Sequence, residues 1–183
     1  MSEKKLSVRQ AMMSDHEMIV DYFLQADHDF LRGMGVDISK LPSRHEWLAI
    51  LEENESLAVA DKKFFYVIWL MDDEAVGHSN INKIIPCKEA YMHLHVWRKD
   101  IRQRGVGAEL VKLSLPYYFK AYDLKELYCE PSAFNPAPNK TLEKCGFEFL
   151  KSYDTIPGWI NYEQTVNRWR LTRERFGELY EIF

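Results

Sequence analysis

The sequence predicts an α+β fold, a mixed and mostly antiparallel sheet of about seven strands with helices on both faces. Three observations support this fold class. Residues 90 to 97, AYMHLHVW, alternate between two faces with the period of a strand. Residues 64 to 71, FFYVIWLM, are apolar on both faces, as in a covered central strand. Segments with helical spacing lie before and after these strands, and such an element order is typical of a sheet with helices on both faces.

The strands are predicted from alternation and from the turn residues that flank each run. The predicted strands cover residues 6 to 11, 64 to 71, 74 to 85, 90 to 97, 126 to 130, 147 to 153 and 166 to 172. Asp72 and Asp73 form the tight turn of the first hairpin. In the strand over 90 to 97, alternation places Tyr91, His93 and His95 on the same face as Trp97.

Four helices are predicted from apolar spacing and from capping residues. They cover residues 15 to 26, 43 to 54, a segment that starts near 106, and 135 to 146. We expect Pro116 to kink or end the third helix, because proline removes a backbone donor. Residues 27 to 41 are predicted as a loop that forms a lid or a binding wall. The aspartates of this loop either attract a cationic acceptor or form a solvated acidic surface.

Composition narrows the class of protein. The chain has 183 residues, which suits one domain over 1 to 183, and 46% of them are hydrophobic. Its net charge of −4 argues against a nucleic acid or an anionic membrane as partner. The odd count of three cysteines, without a CxxC pair, indicates a reducing compartment. The sequence has no signal peptide and no apolar run of membrane-spanning length, so we expect a cytoplasmic protein.

A glycine-bearing turn follows the strand over 90 to 97. Its spacing is Arg102-x-x-Gly105-x-Gly107, at the start of an amphipathic helix. Glycines at a helix start leave backbone N–H groups open beside the positive end of the helix dipole, which predicts an anion site. The turn lacks the lysine and Ser/Thr of a P-loop and does not match GxGxxG. It resembles the acetyl-CoA pyrophosphate loop of the GCN5-related N-acetyltransferases (GNAT).

A second motif, NPAPNKTLEKCGF over residues 135 to 147, resembles the fourth-helix signature of the same family. Within the family, it is most similar to the ribosomal-protein alanine N-acetyltransferases. The resemblance implies a sheet that splays between its fourth and fifth strands. It also implies acetyl-CoA as cosubstrate and transfer of an acetyl group to a primary amine. That amine is carried by a small molecule or by a protein N-terminus or lysine.

The resemblance also implies which residues bind acetyl-CoA. Main-chain groups of the fourth strand would hold the pantetheine and polarise the thioester, amides of the glycine turn would bind the pyrophosphate, and Asn135 would bond the pantetheine arm. The cofactor-binding residues predicted in this way are His95, Val96, Trp97, Arg102, Gln103, Arg104, Gly105, Val106, Gly107, Ala108 and Asn135. The side chain of Arg102 either adds charge to this site or is solvated.

The acceptor amine needs a base, since an amine with a pKa of about 10.4 is protonated at neutral pH. His93 is the candidate base and Tyr91 could anchor a water, while His95 is a weaker candidate. Two histidines on one strand face could equally pack and hydrogen-bond within the sheet. We expect no metal site, because a third ligand at recognisable spacing is missing.

Leu142 stands where many members of the family have a tyrosine that serves as general acid. Tyr128 or solvent could replace it. This departure leaves an alternative open, a non-catalytic acyl-CoA-binding regulatory module, and a third reading is a turn that binds another nucleotide. The aromatic turn around Trp159 and Tyr162 lines either the acceptor site or a homodimer contact.

Overall fold

A computed structural model describes residues 4–102 and 105–180, and it confirms the predicted fold class. The seven strands form one sheet in the order β1-β2-β3-β4-β5-β7-β6. The strands are β1 Leu6–Gln10, β2 Phe65–Met71, β3 Glu74–Ile85, β4 Glu89–Val96, β5 Glu126–Cys129, β6 Glu148–Thr155 and β7 Gln164–Thr172. Only β4 and β5 pair in parallel; the other neighbours are antiparallel.

Within residues 4–102 and 105–180, six α-helices cover the two faces of the sheet. They are α1 His16–Leu24, α2 His28–Gly33, α3 Arg44–Ser56, α4 Val106–Tyr122, α5 Pro136–Lys144 and α6 Arg173–Tyr180. Residues of α1, α2 and α3 form one apolar core with Ile68, whereas residues of α4, α5 and α6 form the other with Val67 and Trp69. This division follows the alternation of β2, in which successive side chains point to opposite faces. Within the described residues, no helix has the length and apolarity needed to cross a membrane.

The pairing of β4 with β5 is short, and this positions the site. It runs from Glu89 opposite Glu126 to Met92 opposite Cys129, and there it stops. On its other edge β4 continues to pair with β3 as far as Val96, opposite Gly77. The two strands therefore separate beyond Met92, and one edge of β4 faces a gap.

The helices differ from the predictions in three places. The prediction of a loop over 27 to 41 is wrong in part, because α2 lies within it; the Asp27 carboxylate caps this helix by accepting bonds from the N–H groups of Asp29 and Phe30. The third predicted helix does not end at Pro116 but continues to Tyr122. The helix α6 was not predicted; its Phe176 ring stacks on Phe119, with centroids 4.3 Å apart.

Gly77 lets β3 approach the segment of β4 that lines the gap. A Cβ atom built on Gly77 would lie 2.4 Å from the carbonyl oxygen of His95. Because this oxygen belongs to the backbone of β4, a methyl group on Gly77 could be accommodated only if the strand moved. Gly77 therefore fixes the position of β4 at the edge of the gap.

We predict that Gly77→Ala lowers the free energy of unfolding by about 1–3 kcal/mol, as overpacking in a core does. Gly33→Ala is the control, because a Cβ there meets no described atom within 4 Å. This control should change stability by less than about 1 kcal/mol. Urea denaturation of both variants measures the difference, and equal stabilities would contradict the role of Gly77.

Candidate active site

A cavity of about 770 Å³ extends from the glycine turn through the gap between β4 and β5 to the face covered by α1, α2 and α3. Eight of the residues predicted to bind cofactor or act in catalysis line it: His93, His95, Val96, Arg102, Gly105, Gly107, Ala108 and Asn135. Tyr91, Trp97 and Val106 are not among its lining residues. Gln103 and Arg104 lie outside the described residues.

The glycine turn leaves an open cradle at the N-terminus of α4. Gly105 precedes the helix with a φ of 80°, in the left-handed region that favours glycine. A Cβ at Gly105 or at Gly107 meets no described atom within 4 Å. The first amides of α4 have no partner within the helix, and the helix dipole is positive there. The arrangement suits a phosphate or diphosphate.

The main-chain groups of β4 alternate between β3 and the gap. The N–H of Trp97 donates to the carbonyl of Val76 at 2.8 Å, so the peptide groups of Trp97 and, two residues earlier, of His95 face β3. Those of Val96 face the gap. Consistent with this, the Val96 carbonyl accepts bonds from Nε and Nη2 of Arg102 at 3.1 and 2.8 Å. Of the three predicted pantetheine contacts, Val96 is the one with its main chain directed into the gap.

His95 is packed among aromatic rings on the α1 side of the sheet. Its ring stacks on His78 with centroids 4.8 Å apart, and the edges of Tyr22 and Phe23 contact it. His78 is 1% exposed and accepts a hydrogen bond from Nε1 of Trp97 at 2.8 Å. Burial, with the neighbouring histidines, holds the pKa of His95 well below its usual value. His95 is therefore packed as the structural interpretation predicts, although its buried Nδ1 has no hydrogen-bond partner among the described residues.

His93 is directed into the cavity. Its Nε2 atom is buried and has no partner among the described residues. Burial, reinforced by the positive charge of Lys83, lowers the pKa of His93 to about 4. The imidazole is thus neutral at pH 7, and one of its nitrogens keeps a free lone pair.

Tyr91, the other catalytic candidate, belongs to a different cluster. Its ring stacks on Tyr128 with centroids 5.3 Å apart, and the Arg168 guanidinium lies 5.7 Å from its centroid. The Tyr91 hydroxyl accepts a bond of 3.3 Å from Nη2 of Arg168. Burial raises its pKa. The structure does not bring Tyr91 together with His93 on the cavity wall.

Glu130, at the end of β5, lines the cavity and was not identified from the sequence. Its carboxylate is 4% exposed and is bound by Nε of Arg168 at 2.6 Å and by the hydroxyl of Tyr153. His78 and the neighbouring Asn80 and Asn82 were also not identified. The alternation of GHSNIN within β3 is the signal that could have revealed them, because it places three polar side chains on one face of a buried strand.

The tyrosine that serves as general acid in many members of the family has no equivalent at the same position of this chain. Leu142 is fully buried in the apolar core under α4. Tyr128 does not line the cavity, and its hydroxyl donates to Glu126 at 2.7 Å. Burial and this carboxylate raise the pKa of Tyr128 to about 12. In the described part of the chain, no group of three or more His, Cys, Asp or Glu side chains could hold a metal ion.

The fold with its splayed strands is shared with solved acetyltransferases. A ribosomal L7/L12 alpha-N-protein acetyltransferase in complex with coenzyme A superimposes with a TM-score of 0.73, at 16% identity, over 93% of this chain and 95% of that chain. Spermidine N-acetyltransferase from Vibrio cholerae, with coenzyme A and spermine, gives 0.73 at 15% identity over 93% and 97%. Aminoglycoside acetyltransferase AAC(6')-Ib, with coenzyme A and kanamycin, gives 0.71 at 15% over 96% and 99%. At these identities the likeness shows the fold.

The family follows from the sequence of the chain itself. The model of the acetyltransferase (GNAT) domain matches residues 5–148, and the chain belongs to this family. It is an N-acetyltransferase that uses acetyl-CoA as cosubstrate. A search of curated proteins finds no match to the sequence.

The buried histidines make stability depend on pH. Burial, with His93, lowers the pKa of His78 to about 3 from an ordinary 6.5. At pH values between the folded-state pKa and the unfolded-state pKa of His78, the unfolded chain binds more protons than the folded protein. The contribution of neutral His78 to stability is therefore fully present above about pH 6.5 and is lost as the pH falls towards the folded-state pKa.

We predict that His78→Asn, which keeps an acceptor for Trp97, reduces this loss. Between pH 7.5 and pH 5.0 the free energy of unfolding should fall by about 2 kcal/mol less than in the unmodified protein. Denaturant titrations at both pH values measure the fall. The exposed His28→Asn serves as control, and equal falls in the two variants would contradict the assignment of His78.

Proposed function

We propose that this protein transfers the acetyl group of acetyl-CoA to a primary amine by direct attack within a ternary complex. The observation that supports this proposal is one continuous cavity whose lining includes both the glycine cradle and His93. The gap between β4 and β5 connects them. Both reactants can therefore meet in one cavity without a covalent intermediate on the protein.

The residues of the cradle fit coenzyme A. The open positions at Gly105 and Gly107 leave room for the pyrophosphate against the first amides of α4. The main chain of Val96 is oriented to pair with the pantetheine, once Arg102 leaves the Val96 carbonyl. Asn135 lines the same cavity, although its Oδ1 already accepts a bond of 3.3 Å from the N–H of Ala137. Bound acetyl-CoA supplies an activated thioester.

His93 is the group proposed to receive the acceptor amine. Its free Nε2 lone pair can accept a hydrogen bond from the attacking nitrogen and orient that nitrogen towards the gap. Tyr91 is less suited to a catalytic role, because its hydroxyl lies against Arg168. Leu142 occupies the position of the family's general acid and has no proton to donate. A thiol with a pKa near 8.5 is a good leaving group as its thiolate and can depart without an acid.

The acceptor itself is a further part of the proposal. The three similar structures are a ribosomal-protein acetyltransferase, a spermidine acetyltransferase with spermine and an aminoglycoside acetyltransferase with kanamycin, so their shared fold does not select among these amines. The resemblance of the 135–147 motif to ribosomal-protein alanine N-acetyltransferases favours a protein N-terminus only by analogy.

We predict that Gly107→Asp weakens coenzyme A binding by about tenfold or more, because the added carboxylate would repel the pyrophosphate and compete with it for the first amides of α4. The fold should be unaffected, since a Cβ there meets no described atom within 4 Å and an acidic residue suits the first turn of a helix. A Cβ at Gly177, on α6, meets none either, and Gly177→Asp is the matched control. Titration calorimetry measures both, and an unchanged affinity in Gly107→Asp would argue against the cradle.

We predict that His93→Ala lowers kcat/KM for the amine by about 10- to 100-fold, because the attacking nitrogen loses the acceptor that orients it. The KM for acetyl-CoA should stay unchanged. Because the pKa of His93 is about 4, the rise of rate with pH should report deprotonation of the amine, and its midpoint should be the same in the variant. The exposed His45→Ala is the control. Full activity in His93→Ala, measured by release of free thiol, would remove His93 from the mechanism.

A further inference from the structure

The acceptor side of the cavity is aromatic. Tyr22 and Phe30 contact edge to face with centroids 6.2 Å apart, and Trp47 and Trp159 do so at 5.9 Å. These rings come from α1, α2, α3 and the connection between β6 and β7. Together with Met34 and Tyr66 they line the cavity beneath the helices. An amine that enters this part of the cavity meets ring faces and a thioether.

Carboxylates are scarce in the same cavity. Among the described lining residues, Glu130 is the only acidic one, and its charge is already compensated by Arg168. The aspartates of the 27–41 segment do not line it. Asp27 caps α2, Asp37 accepts bonds from Ser39, and Asp29 pairs with Arg32 on the surface.

The wall is held in place before any ligand arrives. The connection between β6 and β7 is bonded to the segment after α2: the N–H of Asp37 donates to the carbonyl of Ile160 at 2.8 Å, and Nδ2 of Asn161 donates to the carbonyl of Gly35 at 2.8 Å. Gly35 has a φ of 81°, and a Cβ there would lie 2.0 Å from the Gln164 side chain. These hydrogen bonds fix the position of the connection that carries Trp159, so the aromatic wall is formed before a ligand binds.

We propose that the acceptor is a singly charged primary amine carried by an aromatic or bulky apolar group, a conclusion that rests on the function proposed above. A second or third ammonium group in this cavity would be desolvated without a carboxylate to pair with it, which is strongly unfavourable. A single ammonium must lose its proton before it attacks, and an apolar surrounding lowers the pKa of an amine. The aromatic walls bind the body of such a substrate.

One polar atom gives this substrate a second contact. Oδ1 of Asn82 is buried, lines the cavity side of β3 and has no partner among the described residues. Asn82 pairs with Tyr91 across the β3–β4 ladder, so its side chain shares a face with that of His93. A donor on the substrate, such as a hydroxyl, an indole N–H or a peptide N–H, can bond to it.

The first experiment compares acceptors in a thiol-release assay with acetyl-CoA. Phenethylamine and tryptamine represent free aromatic amines, phenylalanyl-glycine amide represents an aromatic N-terminus, and spermidine and kanamycin represent polycations. We expect kcat/KM for the better aromatic acceptor to exceed that for either polycation by about 100-fold, the ratio expected for one unpaired buried charge. The comparison of the free amines with the peptide then identifies the source of the aromatic group.

Equilibrium binding separates this inference from the proposed reaction. Calorimetric titration of each amine into the complex with unacetylated coenzyme A requires no chemistry. Binding of the aromatic amines without turnover would overturn the proposed transfer and keep the acceptor class. Equal or tighter binding of spermidine or kanamycin would overturn the acceptor class even if both are acetylated. Failure of all five amines to bind would overturn it as well.

Two variants test the walls directly. Trp159→Ala should lower kcat/KM for the aromatic amine by about tenfold through lost ring contact and leave coenzyme A affinity unchanged. Phe149→Ala is its control, because Phe149 is equally exposed, at 49%, and lies outside the cavity lining. Asn82→Asp adds a carboxylate of the same shape and should raise the use of spermidine relative to the aromatic amine by about tenfold. The exposed Gln10→Glu adds the same charge elsewhere, and equal effects of the two acidic variants would overturn the argument.

Discussion

The site depends on the early end of the pairing between β4 and β5. Four residue pairs join the two strands, and β5 then ends at Cys129, just before Glu130 and Pro131. Beyond Cys129 the chain bonds to β7, since the carbonyl of Pro131 accepts a bond of 3.0 Å from the N–H of Asn167. Behind the gap, α4 and α5 remain in contact, and Sγ of Cys145 donates to the carbonyl of Ala108 at 3.4 Å. The gap between β4 and β5 is thus closed on one face of the sheet by the packing of α4 and α5. It stays open on the other face, where a ligand can pair with β4.

The alternation of β4 then separates packing from chemistry. Met92 and Leu94 point into the aliphatic core under α4, whereas His93 and His95 point to the opposite, aromatic side. Polar rings on a buried face lower stability unless they are bonded, and two of these nitrogens, Nε2 of His93 and Nδ1 of His95, have no partner within the described residues. A fold optimised for stability alone would place apolar residues here. The unpaired nitrogens are consistent with a face that is completed by its substrate.

Most of the architecture was predictable because period and turn chemistry are local. The strand bounds, the hairpin turn at Asp72 and the glycine that ends α5 follow from such signals, and the resemblance predicted the splay. The helix α2 was missed because six residues with two glycines nearby read as a loop, although Asp27 provides a cap. The continuation of α4 past Pro116 depends on tertiary contacts, since Leu115, Tyr118 and Phe119 are buried and offset the lost backbone bond. The aromatic wall, the ion pair of Glu130 with Arg168 and the direction of the β4 peptide groups are long-range features that one sequence does not encode locally.

The pKa values limit what His93 can do to the acceptor. An amine with a pKa of about 10.4 lies some 6 units above His93, so a direct proton transfer between them costs about 9 kcal/mol. The cavity can reduce this cost by desolvation. If burial among the rings lowers the pKa of the amine by about 3 units, the neutral fraction at pH 7 rises roughly a thousandfold before His93 takes part. In the proposed reaction this first proton leaves to water and His93 orients the neutral nitrogen. The second proton, lost from that nitrogen as the amide bond forms and the C–S bond breaks, passes through solvent to the departing thiolate. In this proposal the cavity lowers the pKa of the amine and His93 orients it, so a site with neutral histidines and one paired carboxylate can still activate an amine. The proposal therefore requires an acceptor whose remaining surface is apolar.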